Sequence, residues 1–342
     1  MEEKEIVVKF LTNGFQLHPN TLQWLKSNEK KIDEIIQKLK SLENPPIIVD
    51  LKVLETLFQE KQGLLKFVEL KKRKEKLKVD DVLKYYTSRY EKIKKMLLGK
   101  LELPNIISIN KITPLLTTFS LIGIVREKND YDKSIVLEDP TGEVRILLEE
   151  SDYNDVLEDD VIGVKCKRKG REYVGKVVWP DIPLDREVNK LWEESYLLIG
   201  WGIKEYPTSG KIFVLDFENQ NHDLGTPLFL ESDKTVPQSL KIENLNILLI
   251  PLQWLEDYKK IWGVGYQEIV VKFLKRRHLS PKPPKPYLSN GDDFVIEELP
   301  DIIIIPDKQQ RSSYKNYKGT TIIVAGKESV VVDLRNREVK VG

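Results

Sequence analysis

Four consecutive isoleucines, Ile302, Ile303, Ile304 and Ile305, stand between Pro300-Asp301 and Pro306 in a chain of 342 residues. A β-branched run this short, fenced by prolines, has no polar face to turn toward water, so it reads as a strand covered on both sides. A core of that kind belongs to a sheet layered between other elements, as in α/β folds. The loop that leaves the carboxyl end of such a strand is where these folds usually hold ligands. Here it reads Pro306-Asp307-Lys308-Gln309-Gln310 and stays polar until a second apolar run at residues 321–325.

The length allows two or three domains, each with its own core. Lys and Arg total 55 against 54 Asp and Glu, so no global field selects nucleic acid or membrane, and electrostatic binding must come from local patches. The single Cys166 excludes a disulfide framework or a thiolate zinc site within the chain. With three histidines, His18, His222 and His278, metal chemistry would rest mainly on carboxylates. The start shows no signal pattern and no apolar run approaches 18 residues, which points to a soluble cytoplasmic chain with no membrane partner.

Near the amino end Asn20 can cap a helix with Leu22, Leu25, Ile32, Ile35, Ile36 and Leu39 on one stripe. Asn44-Pro45-Pro46 ends it, and after an apolar run at 47–49, Asp50 can cap a second helix carrying Leu51, Leu54, Leu57 and Phe58. Residues 1–62 therefore form a small helical module, and residues 63–108 a basic linker and a helix. The linker holds Lys71, Lys72, Arg73 and Lys74 within six positive charges in eight residues, which reads either as phosphate contact or as a solvated face. The helix spans 79–98 with Val82, Leu83, Tyr86, Tyr90, Ile93 and Leu97 on one side. From 109 the pattern turns to short strands, with Asp139-Pro140-Thr141-Gly142 as a hairpin turn, and five strands with a brief polar segment at 151–157 fit an OB-type barrel over 109–185. Lys165, Lys167 and Lys169 alternate onto one face of it, a nucleic-acid candidate with few aromatics beside it; a barrel used for domain contact is the other reading. Residues 186–342 alternate apolar runs and loops around one helix at 266–275, an α/β or α+β sandwich.

No Gly-rich phosphate loop, Ser nucleophile elbow or paired Cys is present. One constellation stands out: Asn219-Gln220-Asn221-His222-Asp223 follows an apolar strand that ends at Asp216. Asn, His and Asp together could ligate a metal or serve acid/base work, or form an ordinary polar turn. A two-metal phosphoesterase site needs about half a dozen such ligands from several loops, and this domain holds only His222 and His278.

In order along the chain stand "FLTNGFQLHPNTLQWL", "EKLKVDDVLKYYTSRYEKIKKML", "LEDPTGEVRILL", "DDVIGVKCK", "VVWPDIPLDREV", "LKRRHLSP" and "LPDIIIIPDKQQRSSYKNYKGTTIIVAGK". Through these strings the chain resembles the small subunit of the archaeal D-family DNA polymerase, a relative of the B subunits of replicative polymerases. The resemblance implies a multidomain chain: a small N-terminal helical module, an OB-fold β-barrel and a C-terminal calcineurin-like phosphodiesterase α/β sandwich, which in archaeal members acts as a metal-dependent 3′ to 5′ exonuclease.

The chain departs from that family where the chemistry would lie. "YLLIGWGIKEY" has no Asp-x-His, and Pro306-Asp307-Lys308-Gln309 stands where a Gly-His-x-His loop would follow the isoleucines. Asp216, Asn221, His222 and Asp223 are left as vestigial candidates. The resemblance thus implies a degenerate phosphodiesterase site, no catalysis, no metal and no cofactor. Its carrier would be a scaffold subunit that docks a catalytic DNA polymerase subunit, or another replication protein, in a hetero-oligomer that also meets DNA. The alternatives are a residual exonuclease using Asp216, His222 and Asp223 with Mn²⁺ or Mg²⁺, and a single-stranded DNA-binding protein acting through the barrel.

Overall fold

A computed structural model describes residues 3–18, 21, 22, 25, 32–40, 46, 48, 49, 53, 78–205, 207, 209–218, 226, 227, 236–281 and 291–342. Two compact units divide the chain, Met1–Lys66 with Lys241–Glu243 and Phe67–Leu240 with Asn244–Gly342. No helix among the described residues is long and apolar enough to cross a membrane.

The first unit contains helix α1 (Glu3–Thr12), strand β1 (Gln16–Leu17), helix α2 (Ile32–Lys40) and strand β2 (Ile48–Val49), with β1 and β2 paired in parallel. Ile32, Ile35, Ile36 and Leu39 follow the i, i+3, i+4, i+7 spacing and are all buried, together with Ile6, Phe10, Phe15, Leu25 and Val49. Gly14, at φ 89°, turns the chain out of α1 through a conformation that other residues rarely adopt. Asn20, and the expected helix from Asp50 through Phe58, fall outside the described residues, Val53 excepted.

The second unit opens with α3 (Val79–Leu98) and a closed barrel. Its strands are β3 (Thr118–Asn129), β4 (Ser134–Asp139), β5 (Gly142–Leu148), β6 (Val161–Lys169) and β7 (Glu172–Val178), in the order β3-β4-β5-β7-β6, with the short helix α4 (Glu150–Asp155) between β5 and β6. Asp139 fixes the expected hairpin, accepting the Thr141 N–H at 2.7 Å through one oxygen and the Ile109 N–H at 2.9 Å through the other. Cys166 lies in the barrel core, where burial pushes its thiol up to about 12 and keeps it out of thiolate chemistry.

Beyond the barrel come β8 (Ser195–Gly200), β9 (Lys211–Asp216), β10 (Thr226–Pro227), β11 (Gln238–Ile242), β12 (Leu245–Leu249), α5 (Leu252–Trp262), α6 (Tyr266–Arg276), β13 (Ile302–Pro306), β14 (Ser313–Tyr317), β15 (Thr320–Ala325), β16 (Val330–Asp333) and β17 (Val339–Val341). They form two five-stranded sheets, β10-β9-β8-β16-β17 and β11-β12-β13-β15-β14. The isoleucine run is β13, central in its sheet and parallel to both β12 and β15. Ile303 and Ile305 share a core with α5 and α6, whereas Ile302 and Ile304 point to the opposite face and are equally buried. The polar stretch after it is not all loop. Residues 313–317 form edge strand β14, antiparallel to β15, and the chain reverses through Lys318 and Gly319, both at positive φ as a tight hairpin turn requires.

Two strand-start and junction devices hold this unit together. Asp301, fully buried just before β13, accepts from Arg186 at 2.6 Å, from Asn189 at 3.1 Å and from the Asn246 N–H at 2.8 Å, and pairs with Arg337 at 3.2 Å. The second device centres on α3. The expected stripe on α3 needs correction: Leu83 is 61% exposed, and the buried line runs through Asp81, Tyr85, Arg89, Ile93 and Leu97. Arg89 draws the helix round. Its Nε donates to Asp292 at 2.7 Å, and one amino group donates to the Asp159 and Pro281 carbonyls at 3.0 and 2.9 Å. The other amino group reaches the Tyr85 hydroxyl and the Ser280 carbonyl. His278 joins from the end of α6. Its Nδ1 accepts the Ser280 N–H at 3.0 Å, so the proton sits on Nε2 and is donated to Asp292 at 2.7 Å. Burial, with the Arg89 charge adding to it, holds His278 down to about 4, while Asp292 lies far below the usual carboxylate range because His278 and Arg89 bond to its anion. Alongside, Arg276 of α6 donates to Asp160 at 3.2 Å and stacks between Trp179 and Trp262, and Lys272 pairs with Asp155 of α4.

Removing one partner from such a set strands a buried charge. Arg89→Met is expected to lower the stability of this unit by about 3–5 kcal/mol, read from denaturant midpoints by tryptophan fluorescence. The His278 contribution has a definite sign. Its folded value lies below its unfolded value near 6.5, so the unfolded chain binds more protons between those limits, and stability falls as pH drops from about 6.5 to about 4. His278→Gln should remove about 3 kcal/mol of that pH dependence, measured as the difference between the two stability profiles.

Candidate functional site

The carboxyl ends of β8, β9, β13 and β15 meet at one edge of the sheets, and four short connections supply its side chains. After β8 the chain runs Trp201-Gly202-Ile203, with Gly202 at φ 62°. The Trp201 indole N–H donates to the Ala325 carbonyl at the end of β15, at 3.2 Å, and so links the two sheets. Phe217, just after β9, stacks obliquely on Trp201 with ring centres 5.0 Å apart. Lys308, after β13, lies 5.5 Å from the Trp201 ring centre and pairs with Glu218 at 3.0 Å.

Among the described residues, the two buried carboxylates of this edge are bonded from within. Asp216 ends β9 and is 8% exposed; it accepts the N–H groups of Gly202 at 2.8 Å, Ile203 at 2.9 Å and Glu218 at 2.9 Å. A carboxylate with three backbone donors is a loop fastener, since the anion is held by those bonds and most of its lone pairs are taken. Asp307 gives its own N–H to the Ala325 carbonyl and accepts from the Gln309 N–H at 3.1 Å and the Gln310 amide at 2.7 Å. Residues 307–312 then lie tightly against 325–328: Ser312 N–H donates to Glu328 at 2.7 Å, and a Cβ on Gly326 would meet the Gln310 carbonyl at 2.4 Å. The glycine is there because the two backbones approach too closely for any side chain.

A pair of divalent ions, the group that a calcineurin-like site would carry, does not fit the residues described at this edge. Asp216 is spent on amide donors, Asp307 on its own loop, and Lys308 brings a positive charge among them. Among the described residues no group of three or more His, Cys, Asp or Glu side chains is arranged to hold a metal ion. Asn221, His222 and Asp223, like Lys71, Lys72, Arg73 and Lys74, fall outside the described residues. Lys165, Lys167 and Lys169 lie on β6 of the barrel, and His278 belongs to the Arg89 network. Neither Trp201 nor Glu218 stands out as a site residue in the sequence. The missing signal for Glu218 was its place two residues beyond a strand end that only pairing with Lys308 makes meaningful.

No protein-family model matches the chain. It is similar to archaeal proteins named DNA polymerase II small subunit: 32% identical to that of Pyrococcus furiosus over 152 residues, 40% of this chain and 25% of that protein. With that of Archaeoglobus fulgidus it shares 24% identity over 53% of this chain and 43% of the relative, and with that of Thermoplasma acidophilum 24% over 72% and 70%. The aligned part therefore covers less than half the length of the first two relatives. The resemblance read in the sequence to small subunits of the archaeal D-family polymerase holds, at low but consistent identity.

The two kinds of contact at the edge should respond differently to mutation. Asp216→Asn turns an acceptor into a donor facing amide N–H groups and is expected to cost about 1–3 kcal/mol. Lys308→Ala breaks a pair whose members are both more than half exposed, and should change stability by less than about 1 kcal/mol. Urea midpoints of the two variants test the contrast.

Proposed function

We propose that this chain is a non-catalytic accessory subunit of a DNA polymerase, docking the catalytic subunit in a cytoplasmic hetero-oligomer. The observation that carries the reading is the Lys308–Glu218 pair at 3.0 Å, together with the three backbone N–H groups on Asp216. Among the described residues, the buried carboxylates of this edge are held by the chain's own donors, which supports a scaffold role.

The relatives' name supplies the context: each is called the small subunit of DNA polymerase II, and a small subunit accompanies a larger one. The barrel supports an OB-fold assignment, because its strand order places the fifth strand between the third and fourth, with a helix between the third and fourth in sequence. The two five-stranded sheets with α5 and α6 support a degenerate phosphodiesterase-like sandwich. On this reading residues 1–62 form a partner-binding module, 63–108 a linker and helix, 109–185 the OB domain and 186–342 the sandwich. The last two present the docking surface together, since Arg276 and Lys272 of α6 bond to Asp160 and Asp155 of the barrel segment.

Affinity purification of the full chain from its native extract, with mass spectrometry of what is retained, should recover a large DNA polymerase chain in defined stoichiometry. Recovery of no replication protein would overturn the reading. Incubated with a mismatched primer terminus and Mn²⁺, the purified chain should release no nucleotides from the 3′ end. Release that His222→Ala abolishes would instead establish a residual exonuclease.

A further inference from the structure

The barrel carries a charged face on β6 and β7. On β6, Val161, Gly163, Lys165, Lys167 and Lys169 alternate with the core residues Ile162, Val164 and Cys166 and so point outward; Val174, Lys176 and Val178 do the same on β7. One end of this face is covered. Tyr90, Ile93 and Leu97 of α3 pack with Leu103 against Ile122 and Val161, and a Cβ on Gly163 would lie 2.4 Å from the Leu103 side chain. Past Gly163 the cover stops, and Lys165, Lys167, Lys169 and Lys176 are exposed.

The strand register makes this arrangement costly. Lys165 stands directly opposite Lys176, and Lys167 opposite Val174, so two ammonium groups face each other across an antiparallel pair, a placement that repels. Among the described residues none of these four lysines is bonded to a carboxylate; Glu172, opposite Lys169 at the hairpin end, is the one acid in register with them. Elsewhere on the surface, exposed Lys308 and Lys260 pair with Glu218 and Asp257. In a chain with 55 basic and 54 acidic residues, an unbalanced face is a local property rather than overflow of net charge. Successive outward lysines on a strand lie about 7 Å apart, a spacing close to that of neighbouring phosphates on an extended strand. Among the described residues no aromatic ring joins them, because Phe119 and Tyr173 are on the core side, edge to face at 5.5 Å.

We propose that Lys165, Lys167, Lys169 and Lys176 hold the phosphate backbone of an extended single-stranded nucleic acid on the β6–β7 face, without base stacking and without sequence preference. The polyanion relieves the repulsion that the register builds in, and affinity comes from counterion release rather than from contacts to bases. This binding stands apart from the assembly reading, because the chain alone suffices to test it.

The test titrates the full chain into labelled oligothymidylate, by fluorescence anisotropy, over a salt series from about 50 to about 200 mM. Four neutralised phosphates give a slope of log affinity against log salt near −3, by about 0.7 per contact. The triple change Lys165→Ala, Lys167→Ala, Lys176→Ala should remove about two units of that slope and weaken low-salt binding by about tenfold or more. Its thermal midpoint should stay equal or rise, since the opposed charges are gone, which separates lost contact from lost fold. Lys327→Ala, on the exposed turn after β15, should leave the slope intact. An unchanged slope in the triple variant, or binding of polyglutamate where oligothymidylate does not bind, would overturn the assignment.

Discussion

The arrangement of the larger unit depends on burying one guanidinium. A charged Arg89 removed from water carries a desolvation cost of several kcal/mol, offset only because all its donors find acceptors: the Asp292 carboxylate, the carbonyls of Asp159, Pro281 and Ser280, and the Tyr85 hydroxyl. Those acceptors come from α3, from the turn before β6 and from the segment after α6. A single side chain therefore has no satisfied position unless helix, barrel and sandwich are already in place. Apolar packing could hold the same elements, but it would tolerate sliding that a fork of directed bonds does not.

What was legible in the sequence was whatever local pattern decides. The isoleucine strand, the Asp139 hairpin and the alternation of the barrel strands each follow from side-chain periodicity within a few residues. The features that local pattern does not decide share the opposite cause. On α3 the apolar periodicity favoured Leu83, yet the buried side went to Tyr85 and Arg89, whose acceptors lie about two hundred residues further on at Pro281 and Asp292. Edge strand β14, Ser-Tyr-Lys-Asn-Tyr, has no buried face to produce an apolar pattern; its hydrogen bonds to β15 make it a strand. Helix α5 was hidden by Pro251, which reads as a break and serves as its N-cap, though Leu252, Leu255 and Tyr258 kept helical spacing.

The candidate edge shows the same division. That no histidine follows the isoleucines could be seen directly, because identity alone decides it. What Asp216 does could not, since an aspartate at a strand end looks alike whether it faces a cation or ties a loop. Only the three N–H groups around it separate the two roles. Lys308 likewise changes meaning with Glu218 beside it: an unpaired lysine there would repel cations from solvent, whereas a paired one closes the connection between two sheets.

The carboxylate of Asp301 has a consequence for how the chain is made. It marks the start of the central strand, and it is answered by Arg186 and Asn189 from before the sheet and by Arg337, thirty-six residues later. During vectorial synthesis the isoleucine strand leaves the ribosome with this buried anion only partly compensated. The sheet gains its last counter-charge once Arg337 has emerged. Four adjacent isoleucines would be a poor segment to leave half-assembled, and Arg337, which lies between β16 and β17 of the other sheet, ties their final burial to synthesis of that second sheet.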